Sequence, residues 1–426
     1  MLTRLILLTA SISLLHCAAA QQSEKVYLIK AGKLYDSEKN IFVANQQVLV
    51  RGTKIEKVGA NLQKPDGAEV INLPGATITP GLIDAHTHVL TLQKLEVALE
   101  QDVLENTDID RSLRAVQICR SYLQAGFTSI RDLGNSGMFL DLTLQKAIRK
   151  GWVQGPHMVI SGPILSPEDG QYFNLAAHNR HIIEDEYRVI KNVADARQAV
   201  KDHISMGAEV IKVVMGDGRL TLPLNEVKMI VETAHSYGIK VTAHATYDEL
   251  INRALEAGVD GIEHGYNISD SLLEKMARQK VYLVPTYSNK DCFLQLFADN
   301  NSKQTPEQLQ GLDDFLKSSN TIVKKAFEKG VMVINGSDMY IYSKNPGLAA
   351  KGTLLFFYEA WTKPADVLKS ATLNAAIACG IDRYTGVIKE KMSADIVVFE
   401  GDLEKDFKTS VQQVKLVMKA GEIMVK

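Results

Sequence analysis

The 426-residue sequence has few cysteines, almost no net charge and no disulfide pattern. Its four cysteines are widely scattered, and three remain if the first twenty residues are removed. An odd, scattered set is not typical of a disulfide framework or a thiolate metal site, so we interpret Cys119, Cys292 and Cys379 as small core residues. A formal net charge of -2 provides no basic field, and we therefore expect no nucleic-acid partner.

The first twenty residues differ from the rest of the chain. Arg4 precedes an apolar run over residues 5–15, and three alanines end at Ala20. This arrangement predicts a secretory signal peptide, residues 1–20, and hence a secreted or periplasmic protein. The run of about a dozen residues is shorter than the roughly 20 that span a bilayer, so we expect no membrane association after cleavage. A lipoprotein modified at Cys17 is the less favoured alternative, because His16 stands where a small residue is usual.

Both ends of the mature chain contain short β-like runs interrupted by glycine. Since the termini of a domain commonly lie close together, we interpret residues 21–77 and 381–426 as two parts of one small composite β-sandwich domain. The runs are residues 25–31, 47–50, 54–58, 395–399, 414–418 and 423–425.

Residues 78–380 alternate short apolar runs with helical patterns, and several of the helical patterns end at glycine. At this length the alternation predicts an α/β fold, a (β/α)8 TIM barrel with its reactive groups at the C-terminal ends of the strands. The apolar runs are residues 78–88, 127–133, 157–164, 208–215, 239–245, 261–266, 281–287 and 331–338. The main predicted helices are residues 111–125, 189–206, 225–237, 247–257 and 306–329.

A pair of histidines ends the first apolar run, in the stretch PGLIDAHTH at residues 80–88. On extended backbone His86 and His88 point the same way, and two neutral imidazoles can share one metal ion. Taken alone, the pair fits the interpretation as two surface histidines on a loop equally well. Further candidate ligands at other strand ends favour the metal site. These are Lys212 in the fourth run, His244 in the fifth, His264 in the sixth and Asp338 in the eighth.

Lys212 is unusual because it interrupts an otherwise apolar strand. A buried lysine must be paired or lose its proton, and a structural ion pair is the ordinary interpretation of a lone one. Its position among four histidines and an aspartate favours a neutral amine instead. Such an amine can take up carbon dioxide, and the resulting carbamate has two oxygens that can bridge two cations.

The complete set of motifs resembles the amidohydrolase superfamily of metal-dependent hydrolases. Within it, the chain is similar to imidazolonepropionase and to the Xaa-Pro or Xaa-Arg dipeptidases, over essentially the whole mature chain. Besides the ligand-bearing runs, the stretches that carry the resemblance are GKLYD (32–36), GFTSIRD (126–132), ATLNAA (371–376) and ADIVV (394–398).

The resemblance implies a site with two divalent metal ions, for which zinc is expected. One pair of histidines would bind the more buried ion and the other pair the second ion, with a carboxylated lysine bridging the two. An aspartate would contact the buried ion and a bridging hydroxide. The implied ligands are His86 and His88 for the buried ion, His244 and His264 for the second, Lys212 as the bridge and Asp338 as the aspartate.

The implied reaction is hydrolysis of a C–N amide bond in a small-molecule substrate, a dipeptide or N-acyl amino acid, by attack of the metal-bridging hydroxide. Asp338 would take up the proton and pass it to the leaving amine. Tyr247 would donate a hydrogen bond to the carbonyl oxygen, although simple packing at a helix start explains this tyrosine equally well. His178 and His181 lie on a polar loop, residues 166–186, that we expect to cover the site.

Two alternatives stay open at this point. One is a mononuclear cyclic amidohydrolase or deaminase similar to imidazolonepropionase, in which Lys212 is not carboxylated. The other is a barrel that binds metal without catalysis. The sequence does not decide the oligomeric state, and a homo-oligomer is compatible with it.

Overall fold

The computed structural model describes residues 24–172, 175–216 and 220–426 of the protein. The signal peptide expected at residues 1–20 lies outside these ranges, so its cleavage stays a prediction. Among the residues that are described, no helix combines the length and the apolar character needed to cross a membrane.

The described chain alternates strands and helices between two β-rich ends. The strands are β1 (Val26–Asp36), β2 (Ile41–Ala44), β3 (Gln47–Arg51), β4 (Lys54–Gly59), β5 (Glu69–Pro80), β6 (Leu82–Thr87), β7 (Phe127–Asp132), β8 (His157–Ile160), β9 (Ile164–Ser166), β10 (Tyr187–Val189), β11 (Val210–Val214), β12 (Lys240–Ala245), β13 (Gly261–His264), β14 (Tyr282–Val284), β15 (Ile396–Phe399), β16 (Val414–Lys419) and β17 (Glu422–Val425). The helices are α1 (Gln101–Glu105), α2 (Asp108–Gln124), α3 (Leu140–Arg149), α4 (Ile182–Glu186), α5 (Val193–Met206), α6 (Leu224–Ser236), α7 (Asp248–Ala257), α8 (Asp270–Gln279), α9 (Lys290–Asp299), α10 (Pro306–Glu328), α11 (Pro346–Ala350), α12 (Gly352–Trp361), α13 (Pro364–Ser370), α14 (Leu373–Cys379) and α15 (Phe407–Ser410), with a short 3-10 helix at Ala177–Asn179.

The two ends of the chain form one mixed sheet, in the order β17-β16-β15-β5-β1-β3-β4, with β2 paired to the second half of β1. Strand β5 joins the halves, because it pairs in parallel with β1 and antiparallel with β15. Alternating apolar side chains of this sheet, among them Ile29, Val48, Ile78 and Val398, are fully buried in a core of their own. The prediction that both termini combine in one β structure is therefore confirmed, while the bounds 21–77 and 381–426 stay a prediction.

The chain passes from the terminal sheet into the barrel at Gly81. The Gly81 N–H donates to the Asp395 carbonyl over 2.9 Å, and β6 begins at the next residue. A Cβ at Gly81 would lie 1.9 Å from Thr128 Oγ1, so only glycine fits this close approach. The run 78–88, predicted as one barrel strand, is consequently divided between the two sheets.

The barrel strands are parallel and follow the predicted order. β6, β7 and β8 pair in sequence, as do β11, β12, β13 and β14, with β9 paired to the outer side of β11. The eighth run, residues 331–338, is not a regular strand, but it hydrogen-bonds to both neighbours. The Ile334 N–H donates to the Leu283 carbonyl over 2.9 Å, and the Ala85 N–H donates to the Asn335 carbonyl over 3.0 Å. The TIM-barrel fold predicted from the sequence is confirmed.

Helices cover the outer face of these strands, as the sequence periodicity predicts. α5 begins where the Asn192 side chain accepts from the Asp195 N–H, and it ends at Gly207. Gly207 has φ 105°, a left-handed conformation that glycine adopts without steric cost. Between these ends, Ala196, Ala199 and Val200 are buried against the barrel.

A buried ion pair connects the first three loops on the C-terminal face of the barrel. Arg111 and Glu186 are each 1% exposed. The Arg111 guanidinium donates to the Glu186 carboxylate, to the Leu90 carbonyl over 3.0 Å and to the Asn135 carbonyl over 2.8 Å. Glu186 also accepts from the Gly137 N–H over 3.1 Å. Because every charged atom of this pair has partners, the loop that carries α4 is held against the barrel.

A buried lysine joins the barrel helices to the terminal sheet. Lys351, between α11 and α12, is 1% exposed, and its Nζ donates to the Val411 carbonyl over 2.6 Å. The ammonium also lies 5.3 Å from the centre of the Phe399 ring. Burial lowers the pKa of Lys351 from its ordinary value of 10.5 to about 7.

We expect this lysine to make the stability of the protein depend on pH above neutrality. The unfolded chain keeps the Lys351 proton up to about pH 10, whereas the folded chain releases it near pH 7. The unfolded state thus binds more protons in this interval, and the stability contributed by Lys351 rises with pH. Chemical denaturation at pH 7, 8 and 9 measures the free energy of unfolding of the wild type and of Lys351→Met. We expect the value for the wild type to rise relative to that for Lys351→Met by up to about 1.4 kcal/mol per pH unit. A difference that does not change with pH would contradict this.

Candidate metal centre

Three of the predicted ligands face one another at the C-terminal end of the barrel. His86 Nε2 lies 3.2 Å from His88 Nε2, and Asp338 Oδ1 lies 3.5 and 3.3 Å from these two nitrogens. Within the described ranges the three residues form a group whose ligand atoms all lie within 4.8 Å of one another. His86 is fully buried and His88 is 5% exposed, so the pair is not the loop pair of the alternative interpretation.

The outer nitrogens of both histidines are engaged in hydrogen bonds. His88 Nδ1 lies 2.8 Å from the Gly134 carbonyl oxygen, and His86 Nδ1 lies 2.7 Å from Glu263 Oε2. A carbonyl and an ionised carboxylate only accept, so each Nδ1 carries the hydrogen and each Nε2 presents a lone pair. Two lone pairs 3.2 Å apart repel each other unless a positive charge lies between them. The donor set therefore fits a divalent cation.

Asp338 supplies negative charge beside the two histidines. Burial opposes charge on the His88 imidazole, but the carboxylates of Asp338 and Asp132 together outweigh burial and raise its pKa. Burial alone would raise the pKa of Asp338, but the neighbouring His86, His88 and Lys212 together hold it below its ordinary range. Asp338 is therefore an ionised carboxylate at neutral pH.

Asp84 holds together the two strands that carry these ligands. Its Oδ1 accepts from the His86 N–H over 3.2 Å and from the Ser337 N–H over 2.9 Å. Its Oδ2 accepts from the Ser337 hydroxyl over 2.6 Å. In addition, the Asp338 N–H donates to the His86 carbonyl over 2.8 Å. The distance between the histidine pair and Asp338 is thus determined by the backbone as well as by the side chains.

Glu263 is a functional residue that our sequence analysis missed. It is fully buried on β13, where its Oε1 accepts from Arg131 Nη2 over 2.7 Å and from Thr242 Oγ1 over 2.5 Å, while its Oε2 accepts from His86. Burial would raise the pKa of this carboxyl, but the Arg131 charge lowers it well below its ordinary range. The signal was present, because a carboxylate in the apolar stretch GIEH (261–264) is as unusual as Lys212 in its strand.

The second predicted pair lies beside the first. The His264 ring centre is 5.1 Å from that of His86 and 4.4 Å from that of His244. His264 Nδ1 lies 3.8 Å from Asp338 Oδ2. The pairing of β12 with β13 explains the arrangement, because His264 stands opposite Ala245, the residue after His244.

Lys212 lies among the same groups. It is 2% exposed on β11, opposite Thr242 of β12. After burial, its positive charge is the main cause that lowers the pKa of His86, to about 4. The structure thus gathers all the predicted ligands at one end of the barrel, but it brings only three of them within ligand distance of one another among the described residues. The ligand roles themselves stay predictions.

The remaining candidates are more exposed. Tyr247 precedes α7 as its N-cap residue and is 43% exposed, and its role as a hydrogen-bond donor stays a prediction. His178 and His181 are exposed on the loop after the third run, where His181 Nδ1 lies 3.2 Å from the His178 carbonyl oxygen. Residues 173–174 of that loop lie outside the described residues.

Three residues at this end of the barrel have backbone in the left-handed region. His264 has φ 71°, Thr286 has φ 55° and Asp338 has φ 52°. A residue with a side chain in this left-handed region costs on the order of 1–3 kcal/mol, and most for a β-branched residue such as threonine. Three such residues at the ends of successive strands indicate a site whose geometry is imposed by the surrounding fold.

Comparison with known proteins agrees with this architecture. The profile of the amidohydrolase family matches residues 77–424. Ochratoxinase of Aspergillus niger is 29% identical over 341 residues, which cover 73% of this chain and 68% of that protein. Imidazolonepropionase of Shouchella clausii is 25% identical over 426 residues, with 89% of this chain and 85% of that protein covered.

A solved structure has the same fold over nearly the whole chain. It is a prolidase in complex with N-methylphosphonate-L-proline, with a TM-score of 0.80, 25% identity, and 94% of this chain and 99% of that chain covered. The family profile takes in the barrel, the metal centre and most of the C-terminal strands. The chain therefore belongs to the amidohydrolase family, a family of metal-binding hydrolases that act on C–N bonds.

Proposed function

We propose that this protein hydrolyses the C–N amide bond of a dipeptide or an N-acyl amino acid with two divalent metal ions, zinc being expected. The observation that carries the proposal is the convergence of His86, His88 and Asp338 beside a second histidine pair and a buried lysine. The likeness to a prolidase solved with N-methylphosphonate-L-proline supports a small amino-acid derivative as the substrate.

The proposed division of the ligands follows the positions of the side chains. His86 and His88 would hold one cation, and His244 and His264 the other. Neutral Lys212 would take up carbon dioxide with release of one proton to water, and the resulting carbamate would supply further anionic oxygen ligands. Bound cations would supply a water molecule of lowered pKa and polarise the scissile carbonyl.

Asp338 would move the proton. Its carboxyl is ionised because His86 and His88 outweigh the effect of burial on its pKa. Oδ1 faces the His86 and His88 nitrogens, so we assign Oδ2 as the atom that takes the proton from the attacking water. The same oxygen would deliver the proton to the leaving amine nitrogen. Tyr247 would donate its hydroxyl hydrogen to the carbonyl oxygen as negative charge develops there.

A second candidate function is hydrolysis or deamination of a cyclic substrate with a single metal ion. Two observations favour it: among the residues that the structure describes, His86, His88 and Asp338 form the one group suited to an ion, and imidazolonepropionase is a relative. In this case Lys212 would not be carboxylated. A third candidate, a barrel that holds metal without catalysis, requires that no substrate is turned over.

Metal content separates these candidates. We expect dialysis against a chelator to abolish activity and added Zn²⁺ to restore it, because the donor set supplies the binding site for the ions. Elemental analysis of the active protein should give two metal ions per chain. One ion per chain at full activity would exclude the two-ion proposal and support the mononuclear candidate.

Lys212→Ala should abolish nearly all activity if the lysine bridges two ions. Loss of one cation removes several kcal/mol of transition-state stabilisation, which corresponds to a decrease in kcat/KM on the order of 100- to 1,000-fold. Lys240→Ala is a matched control, since Lys240 begins the neighbouring strand β12 at the opposite end of the barrel and its Nζ contacts the Ile377 carbonyl. We expect the control variant to keep its activity. A modest effect of Lys212→Ala, similar to that of the control, would support the mononuclear candidate.

A substrate panel tests the proposed chemistry directly. We expect the fully metallated enzyme to release free amino acid from Xaa-Pro, Xaa-Arg, Xaa-Lys or Xaa-Phe dipeptides or from N-acyl amino acids, as followed by ninhydrin or mass spectrometry. Cyclic amides belong in the same panel. Activity on cyclic amides alone would support the second candidate, and no turnover of any compound would support the non-catalytic one.

A further inference from the structure

Two hydroxyl groups lie within hydrogen-bond distance of Nδ1 of His264, the nitrogen that also lies 3.8 Å from Asp338 Oδ2. Thr286 Oγ1 lies 2.8 Å from His264 Nδ1. Tyr266 Oη lies 3.3 Å from the same nitrogen and 3.1 Å from Thr286 Oγ1. The three polar atoms form a closed triangle, in which the threonine hydroxyl can accept from the imidazole N–H while the tyrosine hydroxyl donates to the threonine.

The backbone at Thr286 is strained to make this contact. Thr286 follows β14, the strand next to the one that ends with His264, and both residues have positive φ, 55° and 71°. A β-branched residue is among the least suited to this conformation. The structure keeps the hydroxyl on the imidazole at the expense of an unfavourable backbone, which indicates that the contact contributes more than packing.

We propose that Thr286 is a positioning residue for His264, whose hydroxyl holds Nδ1 in the protonated form so that Nε2 is the nitrogen presented to a cation. Tyr266 orients the threonine hydroxyl and thereby supports the same arrangement. This inference rests on the proposed function, because it assigns His264 to the second cation.

The two histidine pairs consequently differ in their support. His86 donates to the Glu263 carboxylate, which is an anion, whereas His264 donates to the neutral Thr286 hydroxyl. A carboxylate partner increases the basicity of an imidazole ligand more than a hydroxyl does. The cation on the His244 and His264 side is therefore the more weakly bound of the two, and its affinity depends on Thr286.

The experiment compares Thr286→Val, which keeps the shape without the hydroxyl, with Thr286→Ser, which keeps the hydroxyl. Metal-free full-length protein is titrated with Co²⁺, and the visible absorption reports coordination. We expect two binding steps in the wild type. Thr286→Val should lower the Co²⁺ affinity of the weaker step alone, by about 10- to 100-fold, and alter the absorption band of that step. Thr286→Ser should have the affinity and the absorption band of the wild type.

A second measurement separates failure of this inference from failure of the proposed function. Nitrogen-15 NMR of zinc-loaded protein labelled at histidine shows which His264 nitrogen carries the hydrogen. We expect a protonated Nδ1 in the wild type and in Thr286→Ser, and its loss or rapid exchange in Thr286→Val. A single Co²⁺ step in the wild type would refute the two-ion function, and the NMR result would then decide the role of Thr286 alone. Unchanged Co²⁺ binding together with an unchanged His264 signal in Thr286→Val would overturn the inference. An equal loss of Co²⁺ affinity and of the His264 signal in Thr286→Val and Thr286→Ser would also overturn it.

Discussion

The ion pair between Glu263 and Arg131 in the barrel interior is the interaction on which the metal centre depends. Both side chains are fully buried, and separate burial of either charge would be strongly unfavourable. The structure compensates with hydrogen bonds on every side: Arg131 also donates to the Ala85 carbonyl over 2.6 Å and to the Tyr282 hydroxyl over 2.8 Å. The pair links strands β6, β7, β13 and β14 in the middle of the barrel.

This pair also determines the chemistry of the first ligand. Because the Arg131 charge keeps Glu263 ionised, the carboxylate accepts from His86 Nδ1, and the lone pair of His86 is left on the nitrogen that faces His88. The core of the barrel and the site at its end are therefore one electrostatic system. Loss of either partner would leave an unpaired buried charge directly beneath the ligands.

Much of the fold was predictable from the sequence because it depends on local patterns. Apolar runs, helix periodicity and glycines that end helices, such as Gly207, are properties of short segments. They predicted the barrel and the sheet formed by the two termini. The ligands at strand ends were recognisable because histidine, lysine and aspartate are rare in apolar strands. Their gathering at one end of the barrel follows from parallel strands, in which all C-terminal ends meet.

The features that the sequence did not reveal depend on contacts between distant segments. Gly81, where the run 78–88 is divided, is closely approached by Thr128, and the closing run 331–338 hydrogen-bonds to two neighbouring segments without forming a regular strand. Glu263 belongs to the same class, since its role follows from Arg131, which is 132 residues away in sequence. A local pattern contains no information about such a partner.

The junction at Gly81 has a consequence for the order in which the protein forms. The strand that carries His86 and His88 continues directly from β5, and one neighbour of β5 is β15, at residues 396–399. A nascent chain leaves the ribosome from its N-terminus, so β15 is made only after every proposed metal ligand has been synthesised. The strand that leads into the first two ligands therefore lacks one of its neighbours until residues 396–399 have been synthesised.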